Sequence, residues 1–571
     1  MHKVVVGIDF GSSGTGYAFS YNNPKDIYLG KFPNQGIDSK VPTQIILDSK
    51  LEKVLAFGKE CNKYIDTNRL LKGELFFKKI KMNLYDGVKF IKPQNSSTSY
   101  PLEDIIAKIL EYIKNEAINT IHNNQPKITV EEIKYIVTVP AIWDLTLKGI
   151  MIKASEKAGL FNQNTDILNF FALEPEAASI YCSEDESIDS DYLLPGKSYI
   201  ICDLGGGTGD IVTHSTNLDG DIIEKFPPIG GNYGSDEIDK AIFKRVFYKL
   251  FGFEDYNSLQ KKNKEKGNIW EEDELYKEWV NLQEEIQNLK KITEDSREKY
   301  FFLNCQLFED FVDSSLDEIV NNYNNSCQEG WKITIKNKKK WVLYFPYNIF
   351  FDLIKEHSKE ISKQIIQITQ RVEDIESILY VGGYCSNEIL FSNIKDEFSE
   401  LIHLKPSRPE IAVVKGAVLF GLNPDKIKFR IFPYTLGFNC DDDWNDLIHE
   451  GIGTKIYSKL TKKYVCLNSF HSFIKIGETI SKNHTITHKF YTLNSRFITL
   501  KFFKSLKYNP ILWTEKDVEL IGTDSLDLQK DYPINERDFI VTLKFGGTYV
   551  EAKCFHNKSK LEKNFPLYFN K

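Results

Sequence analysis

The stretch that decides the reading is Ser198-Tyr199-Ile200-Ile201-Cys202 followed by Asp203-Leu204-Gly205-Gly206-Gly207-Thr208-Gly209-Asp210. The apolar run makes a buried strand, the glycines make a turn, and the chain resumes as a strand over 210–214. Consecutive glycines cost backbone entropy and add nothing to packing, so they call for something lying close against bare backbone. Thr208 adds a hydroxyl donor and Asp203 a carboxylate. An ordinary glycine-rich hairpin is the alternative.

Working outward, the N-terminus carries the same device: a β-branched run over 4–8, then Asp9-Phe10-Gly11-Ser12-Ser13-Gly14-Thr15-Gly16, then an alternating strand over 17–21. Backbone N–H groups of such a turn can face a phosphate, with Ser12, Ser13 and Thr15 as side-chain donors. The Asp9 carboxylate suits the Mg²⁺ that phosphates bring, held through water. Alone this segment reads equally well as a capped hairpin. Its repetition at 203–210 suggests two related lobes facing each other across a ligand. A third turn, Tyr380-Val381-Gly382-Gly383-Tyr384-Cys385-Ser386, joins a strand over 377–381 to a helix. That arrangement brings backbone against a flat base or ribose, or is a plain strand-to-helix turn. Glu174-Pro175-Glu176 opens a helix, where Glu174 either caps the end or orients an attacking water.

Around these turns helices alternate with strands: helical patterns over 102–121 and 146–158, and a strand over 133–139 stopped by Pro140. From about 240 to 350 the chain is charged and helix-prone, clearest over 271–293, before a long amphipathic helix over 346–371. Beyond Gly421-Leu422-Asn423-Pro424 it turns to short β-rich segments such as 470–476, 497–503 and 539–545. At 571 residues the chain exceeds what one core accommodates. A net charge of −7 excludes a generally basic, nucleic-acid-binding chain, so the lysine-rich runs at 261–266 and 336–340 read as solvated faces. The nine cysteines show no CxxC and no ligand-like spacing to histidine, which fits free thiols in a reducing compartment. No signal peptide and no membrane span are expected, which places the chain in the cytoplasm.

The ordered set of motifs resembles the heat-shock-70 and actin superfamily of ATPases. GIDFGSSGTG, VTVPAIWDLTLKGIMIKASEKAGL, LEPEAAS, CDLGGGTGD, GGNYGSDEID, YVGGYCS and PEIAVVKGAVLFGLNP follow in family order over 4–424. The wording is similar to the divergent heat shock 70 kDa protein 12 branch, with LFFKKIKMNL at 75–84 and a PYTLGF entry at 433–438. The resemblance implies an α/β fold. A two-lobed actin-like ATPase domain over 1–424 has lobe I at about 1–196 and lobe II at about 197–407, with an inserted helical subdomain at about 240–345. A β-rich, substrate-binding-like domain follows at 425–571.

It further implies ATP or ADP with Mg²⁺ as the ligand, Asp9 and Asp203 holding Mg²⁺ through waters, and Glu174 polarising the hydrolytic water. Gly11, Ser12, Ser13, Gly14, Gly205, Gly206, Gly207 and Thr208 would grip phosphates; Gly230, Gly231, Gly382, Gly383 and Tyr384 would surround ribose and adenine. Pro140 and Lys148 match the proline and basic residue that relay nucleotide state between lobes. Extended polypeptide is the implied partner of the β domain.

Three positions depart from the pattern. The lysine expected four residues after a glycine is Asn62 after Gly58, with Lys59 and Lys63 beside it; the base-stacking arginine gives way to Tyr384-Cys385-Ser386; and the acidic, leucine-rich linker becomes Asp425-Lys426-Ile427-Lys428-Phe429-Arg430. Lys290 and Lys291 are candidate basic contacts, or a solvated helix face. Slow hydrolysis is therefore expected, with a nucleotide-gated scaffold and a small-molecule or sugar kinase as alternatives.

Overall fold

The computed structural model describes the chain except residues 1, 37, 69–72, 162–168, 190–192, 194, 291–299, 459–460, 546–547 and 567–571. Lys291 and the extreme C-terminus lie outside the described residues.

Both glycine turns sit at the ends of central strands in two sheets of matching order. In the first, Val4–Phe10 pairs in parallel with Ile133–Val139, which pairs in parallel with Phe171–Leu173. On its other side Val4–Phe10 pairs antiparallel with Gly14–Ser20, and that strand with Tyr28–Leu29. In the second, Ser198–Leu204 pairs in parallel with Ile375–Val381 and then Ile402–Leu404; across the turn it meets Gly209–Thr216 and then Ile222–Gly231, both antiparallel. The register sets Asp9 opposite Gly16 and Asp203 opposite Asp210, so each turn emerges at the same place in its sheet. The central strands are buried along their whole length, as apolar runs with parallel neighbours should be.

The helices Glu174–Cys182 and Ala412–Leu422 cross beside these sheets. Ala412–Leu422 is apolar almost all round, which marks a helix buried on every side. Gly416 lets it approach so closely that a Cβ there would overlap the Ala177 carbonyl, and Gly7 faces Val414 and Ala417 of the same helix.

The segment between the strand ending at Gly231 and the helix Asn348–Thr369 holds helices including Tyr256–Glu265, Glu272–Leu289 and Leu316–Ser326. It also holds an antiparallel sheet of Tyr300–Asn304, Val342–Pro346 and Thr334–Asn337. Helical periodicity hides these strands, because Thr334–Asn337 and Tyr300–Asn304 are largely exposed and show no buried run. An aromatic core that includes Phe247, Phe251, Phe308 and Phe345 joins the helices to the sheet.

Downstream, Ile427–Ile431 and Thr479–Ser481 extend the second sheet. A five-stranded sheet ordered Thr454–Ser458, Lys463–Ile474, Thr435–Asp443, Phe497–Ser505, Val518–Asp527 shares one core with a four-stranded sheet of His484–Tyr491, Asp538–Phe545, Val550–His556 and Glu562–Pro566. Phe438, Phe473, Phe490, Phe502 and Phe539 meet in that core. Among the described residues no helix is long and apolar enough to cross a membrane.

Candidate active site

The two turns touch. A side chain on Gly206 would overlap Ser13, and one on Gly207 would overlap Met82 and press on Ser12, so only glycine permits this approach. Each turn has its carbonyls tied back by a neighbouring segment. Thr43 donates its hydroxyl to the Gly11 carbonyl at 2.7 Å and its N–H to the Ser13 carbonyl at 3.2 Å. In the other turn, the N–H groups of Ser235 and Asp236 bond the Gly205 and Gly206 carbonyls at 3.1 and 2.8 Å. Among the described residues the N–H groups of Ser12, Ser13, Gly206 and Gly207 make no hydrogen bond. With the Gly11, Ser13, Gly205 and Gly206 carbonyls occupied and these N–H groups left over, both tips present partial positive charge, the property of an anion-binding nest.

Behind the tips lie four carboxylates. Asp9 is buried at the end of Val4–Phe10, Asp203 at the end of Ser198–Leu204, Asp210 at the start of Gly209–Thr216, and Glu174 at the first position of its helix. Burial pushes the Asp203 carboxyl well above the ordinary carboxylate range, with Glu174, Asp210 and Asp9 pushing the same way. Burial and Glu174 push Asp210 up to about 7, although its Oδ2 accepts from the Ala141 N–H at 2.7 Å. The other oxygen, Oδ1, is buried without a hydrogen bond among the described residues. Burial raises Glu174 as well, opposed by Lys81.

Two lysines answer this charge. Lys81, 3% exposed, places its ammonium on Glu174 Oε1. Lys40 reaches Asp9 Oδ2 at 2.5 Å. Burial works against the Lys40 ammonium, but Asp9, with Asp203 and Glu174 behind it, outweighs that and holds its pKa above the usual lysine value. Two ammoniums facing four carboxylates leave a negative surplus, and the orphaned oxygen of Asp210 marks where it is unmet. An all-oxygen donor set with surplus negative charge fits a hard divalent cation such as Mg²⁺.

The remaining expected residues fall around this centre. Gly230 lies against Asp210, and a Cβ on Gly382, whose φ is 86°, would overlap the Leu204 carbonyl and lie 2.7 Å from Asp203 Oδ1. Gly383 faces open space, and Gly231 lies beside the ring of Tyr233. Tyr384 departs from the sequence-based expectation. It is 5% exposed, its hydroxyl lies 3.2 Å from His357 Nδ1, and it belongs to the aromatic core, so it offers no free face to a base. The reason is local: Gly383–Ser386 forms a short 3-10 turn that directs Tyr384 inward.

Lys290 lines a cleft of about 1160 Å³ together with Ser12, Ser13, Asp236 and Lys78. Its ammonium bonds the Ser235 carbonyl at 2.9 Å and Asp239 at 2.7 Å, so it braces the segment behind the second turn. Across this cleft Lys78 donates to Gln283 at 3.1 Å, and Asn62 donates to Glu284.

Sequence reasoning missed Lys81 and Lys40. The search for a lysine after Gly58 leads to Asn62, which bridges the cleft mouth, whereas Lys81 stands in the quoted LFFKKIKMNL segment at the start of the helix Ile80–Tyr85. In the run Lys78-Lys79-Ile80-Lys81 the side chains are chemically alike, and only their burial separates them.

A second charge cluster adjoins the first. Glu176, two residues after Glu174, is buried and forms a bidentate pair with the partly buried Arg430 at 2.6 and 2.8 Å. Glu224 accepts from the Ile431 N–H at 2.7 Å, and burial followed by Arg430 lowers Lys148 to about 8. Asp144, the N-cap of the helix carrying Lys148, bonds Lys504 of the C-terminal sheets at 2.6 Å.

No protein-family model matches the chain. Three curated proteins align with 96% of it: heat shock 70 kDa protein 12A of Homo sapiens, 25% identical over 89% of its own length, the same protein of Mus musculus, 24% identical over 89%, and heat shock 70 kDa protein 12B of Homo sapiens, 22% identical over 88%. Alignment over nearly the full length of both partners makes the chain similar to the heat shock 70 kDa protein 12 branch, in agreement with the ordered motifs of its sequence.

Proposed function

We propose that the chain binds ATP with Mg²⁺ between the turns at 9–16 and 203–210 and hydrolyses it slowly to ADP and phosphate. The observation that carries this reading is the pair of touching turns whose carbonyls are tied back while the N–H groups of their tips are left over. The matching strand order of the two sheets supports a two-lobed domain over 1–424, with lobes at about 1–196 and 197–407 and an insertion at about 240–345, followed by a β-rich unit over 425–571.

Ser12, Ser13, Gly206, Gly207 and Thr208 donate to phosphate oxygens, and Gly230, Gly231, Gly382 and Gly383 flank the nucleoside. Magnesium, when bound with the nucleotide, supplies charge neutralisation at the phosphates, and Asp9 and Asp203 are the residues that would hold it, through water. Glu174 orients and polarises the attacking water. Lys81 sets its ammonium on Glu174 and takes the role of the family lysine, whereas Lys59 pairs with Asp38 and Lys63 with the Asn34 carbonyl. Lys40 on Asp9 favours slow turnover, because that carboxylate starts out paired. The same contact supports a second reading, a nucleotide-gated scaffold without useful turnover. Single-turnover hydrolysis separates the two: an ATPase loses activity in Glu174→Gln, while a scaffold shows the same background rate in both forms.

The C-terminal sheets support binding of extended polypeptide. Thr454–Ser458 is an edge strand, and Leu447, Ile448, Ile452, Tyr457 and Tyr464 are exposed beside it or on it, which suits strand addition with apolar contacts. The nine unpaired thiols fit a reducing, cytoplasmic setting.

A further inference from the structure

We infer that the C-terminal sheets carry a zinc site built from Cys440, Asp442 and His471, separate from the nucleotide turns. Cys440 and Asp442 alternate on the strand Thr435–Asp443, so they share one face, and His471 stands on the neighbouring strand Lys463–Ile474, paired with Phe438. A register shift between Cys440 and Asp442 bends this strand pair where the three meet. Cys440 Sγ lies 3.2 Å and His471 Nδ1 3.1 Å from the same oxygen, Asp442 Oδ1, and all three ligand atoms fall within 4.8 Å of one another.

These separations are close to what a tetrahedral ion needs. Zinc–sulfur, zinc–nitrogen and zinc–oxygen bonds of about 2.3, 2.0 and 2.1 Å give ligand–ligand edges of about 3.3–3.6 Å. The two edges to Asp442 Oδ1 would lengthen by a few tenths of an ångström to reach those values. The donor set of thiolate, imidazole and carboxylate selects zinc over magnesium or calcium. Three protein ligands leave a fourth position for water, and the half-buried side chains leave a path to it.

The surroundings hold the histidine in place for this. His471 Nε2 lies 3.0 Å from Nδ1 of His488, which reaches over from the facing sheet. The rings of Phe473 and Phe490 stand edge-on to His471 at 5.9 and 5.2 Å. An outer partner on the second nitrogen is the feature that fixes the tautomer and orientation of a metal-bound imidazole. In the metal-free trio the thiol and Nδ1–H both donate to Asp442. On zinc uptake the Cys440 thiol gives its proton to solvent, and His471 passes to its other neutral tautomer, releasing the Nδ1 proton to solvent and taking one from solvent on Nε2, which it donates to His488. The ion then meets one thiolate, one carboxylate and one neutral imidazole, and the site as a whole carries no net charge.

The test uses the full chain freed of metal with a chelator and titrated with Zn²⁺ alone and with Co²⁺ alone. One ion per chain is expected, and the cobalt form should show thiolate-to-cobalt charge-transfer absorption with tetrahedral d–d bands. Cys440→Ser should abolish the charge transfer, His488→Ala should weaken binding about 10- to 100-fold, and Cys327→Ser, at the other half-exposed thiol, should change neither. Absence of binding by the wild-type chain, or charge transfer that survives Cys440→Ser or is lost in Cys327→Ser, overturns the site. If Cys440→Ser does not melt cooperatively, Asp442→Asn replaces it, and unchanged affinity in that variant overturns the site equally.

Discussion

Under the proposed ATPase reading, the buried pair of Lys81 and Glu174 carries the chemistry of the site in two side chains. Glu174→Gln keeps shape and hydrogen bonding but removes the base, so single-turnover hydrolysis should fall about 100-fold or more while nucleotide affinity changes little. Lys81→Ala leaves Glu174 buried without its partner and should cost activity by a similar factor. Lys78 makes a different, ligand-free prediction. Burial, with Lys79 beside it, brings its ammonium from 10.5 down to about 7. The unfolded chain therefore binds more protons than the folded one between those values, and stability contributed at high pH is lost as pH falls from 10.5 through about 7. Urea midpoints measured across that range should be flatter for Lys78→Met than for the wild type. The placement of Asp9, Glu174 and Asp203 was legible because each stands at a strand or helix end beside a glycine turn or a proline; their proposed roles rest on the nucleotide reading. Lys81 and Lys40 were not, since nothing local distinguishes a lysine that folds inward from one that stays in water. Tyr384 was open for a related reason: a tyrosine after two glycines reads as an aromatic face for a base or as a buried packing residue, and its packing against His357 favours the second.

At the scale of elements, close approach and buried charge decide which contacts matter. Gly416→Ala should drive the helix Ala412–Leu422 away from the Ala177 carbonyl at a cost of about 1–3 kcal/mol, read as a lower urea midpoint with unchanged slope. The strand Ile427–Ile431 is held by Arg430 on Glu176 and by the Ile431 N–H on Glu224. Arg430→Met strands a buried carboxylate and should cost about 3–5 kcal/mol, with hydrogen exchange faster first along this strand. Strand and helix existence was largely legible from period and punctuation, as in Ile133–Val139 stopped by Pro140 or Ser198–Leu204 ahead of its glycines. The strands Tyr300–Asn304 and Thr334–Asn337 were not, because exposed strands among charged helices carry no alternating buried face. Nor does spacing reveal that Asp425-Lys426-Ile427-Lys428-Phe429-Arg430, in place of an acidic linker, contributes a sheet strand anchored by an ion pair.

Across the whole molecule the charge clusters form a connected series. Asp210 is bonded to Ala141, next to Pro140; Asp144 on the following helix is bonded to Lys504; and Glu176, beside Glu174, is bonded to Arg430. Any change of position at the turns thus has short paths to the C-terminal sheets, which is the physical basis for proposing that nucleotide state and the edge strand Thr454–Ser458 are linked. The two sheets share one strand order, and the chain is 25% identical to heat shock 70 kDa protein 12A over 89% of that protein's length. The proposed role of the two turns is to hold the phosphates of a nucleotide between them. Its most direct test is an equilibrium titration of the full chain with a fluorescent ATP analogue in Mg²⁺, wild type against Ser13→Ala combined with Thr208→Val. Saturable binding of one analogue per chain, competed by ATP and weakened about tenfold or more in the double variant, is the predicted result. A folded chain that binds no analogue, or binds it equally well without those two hydroxyls, would contradict it.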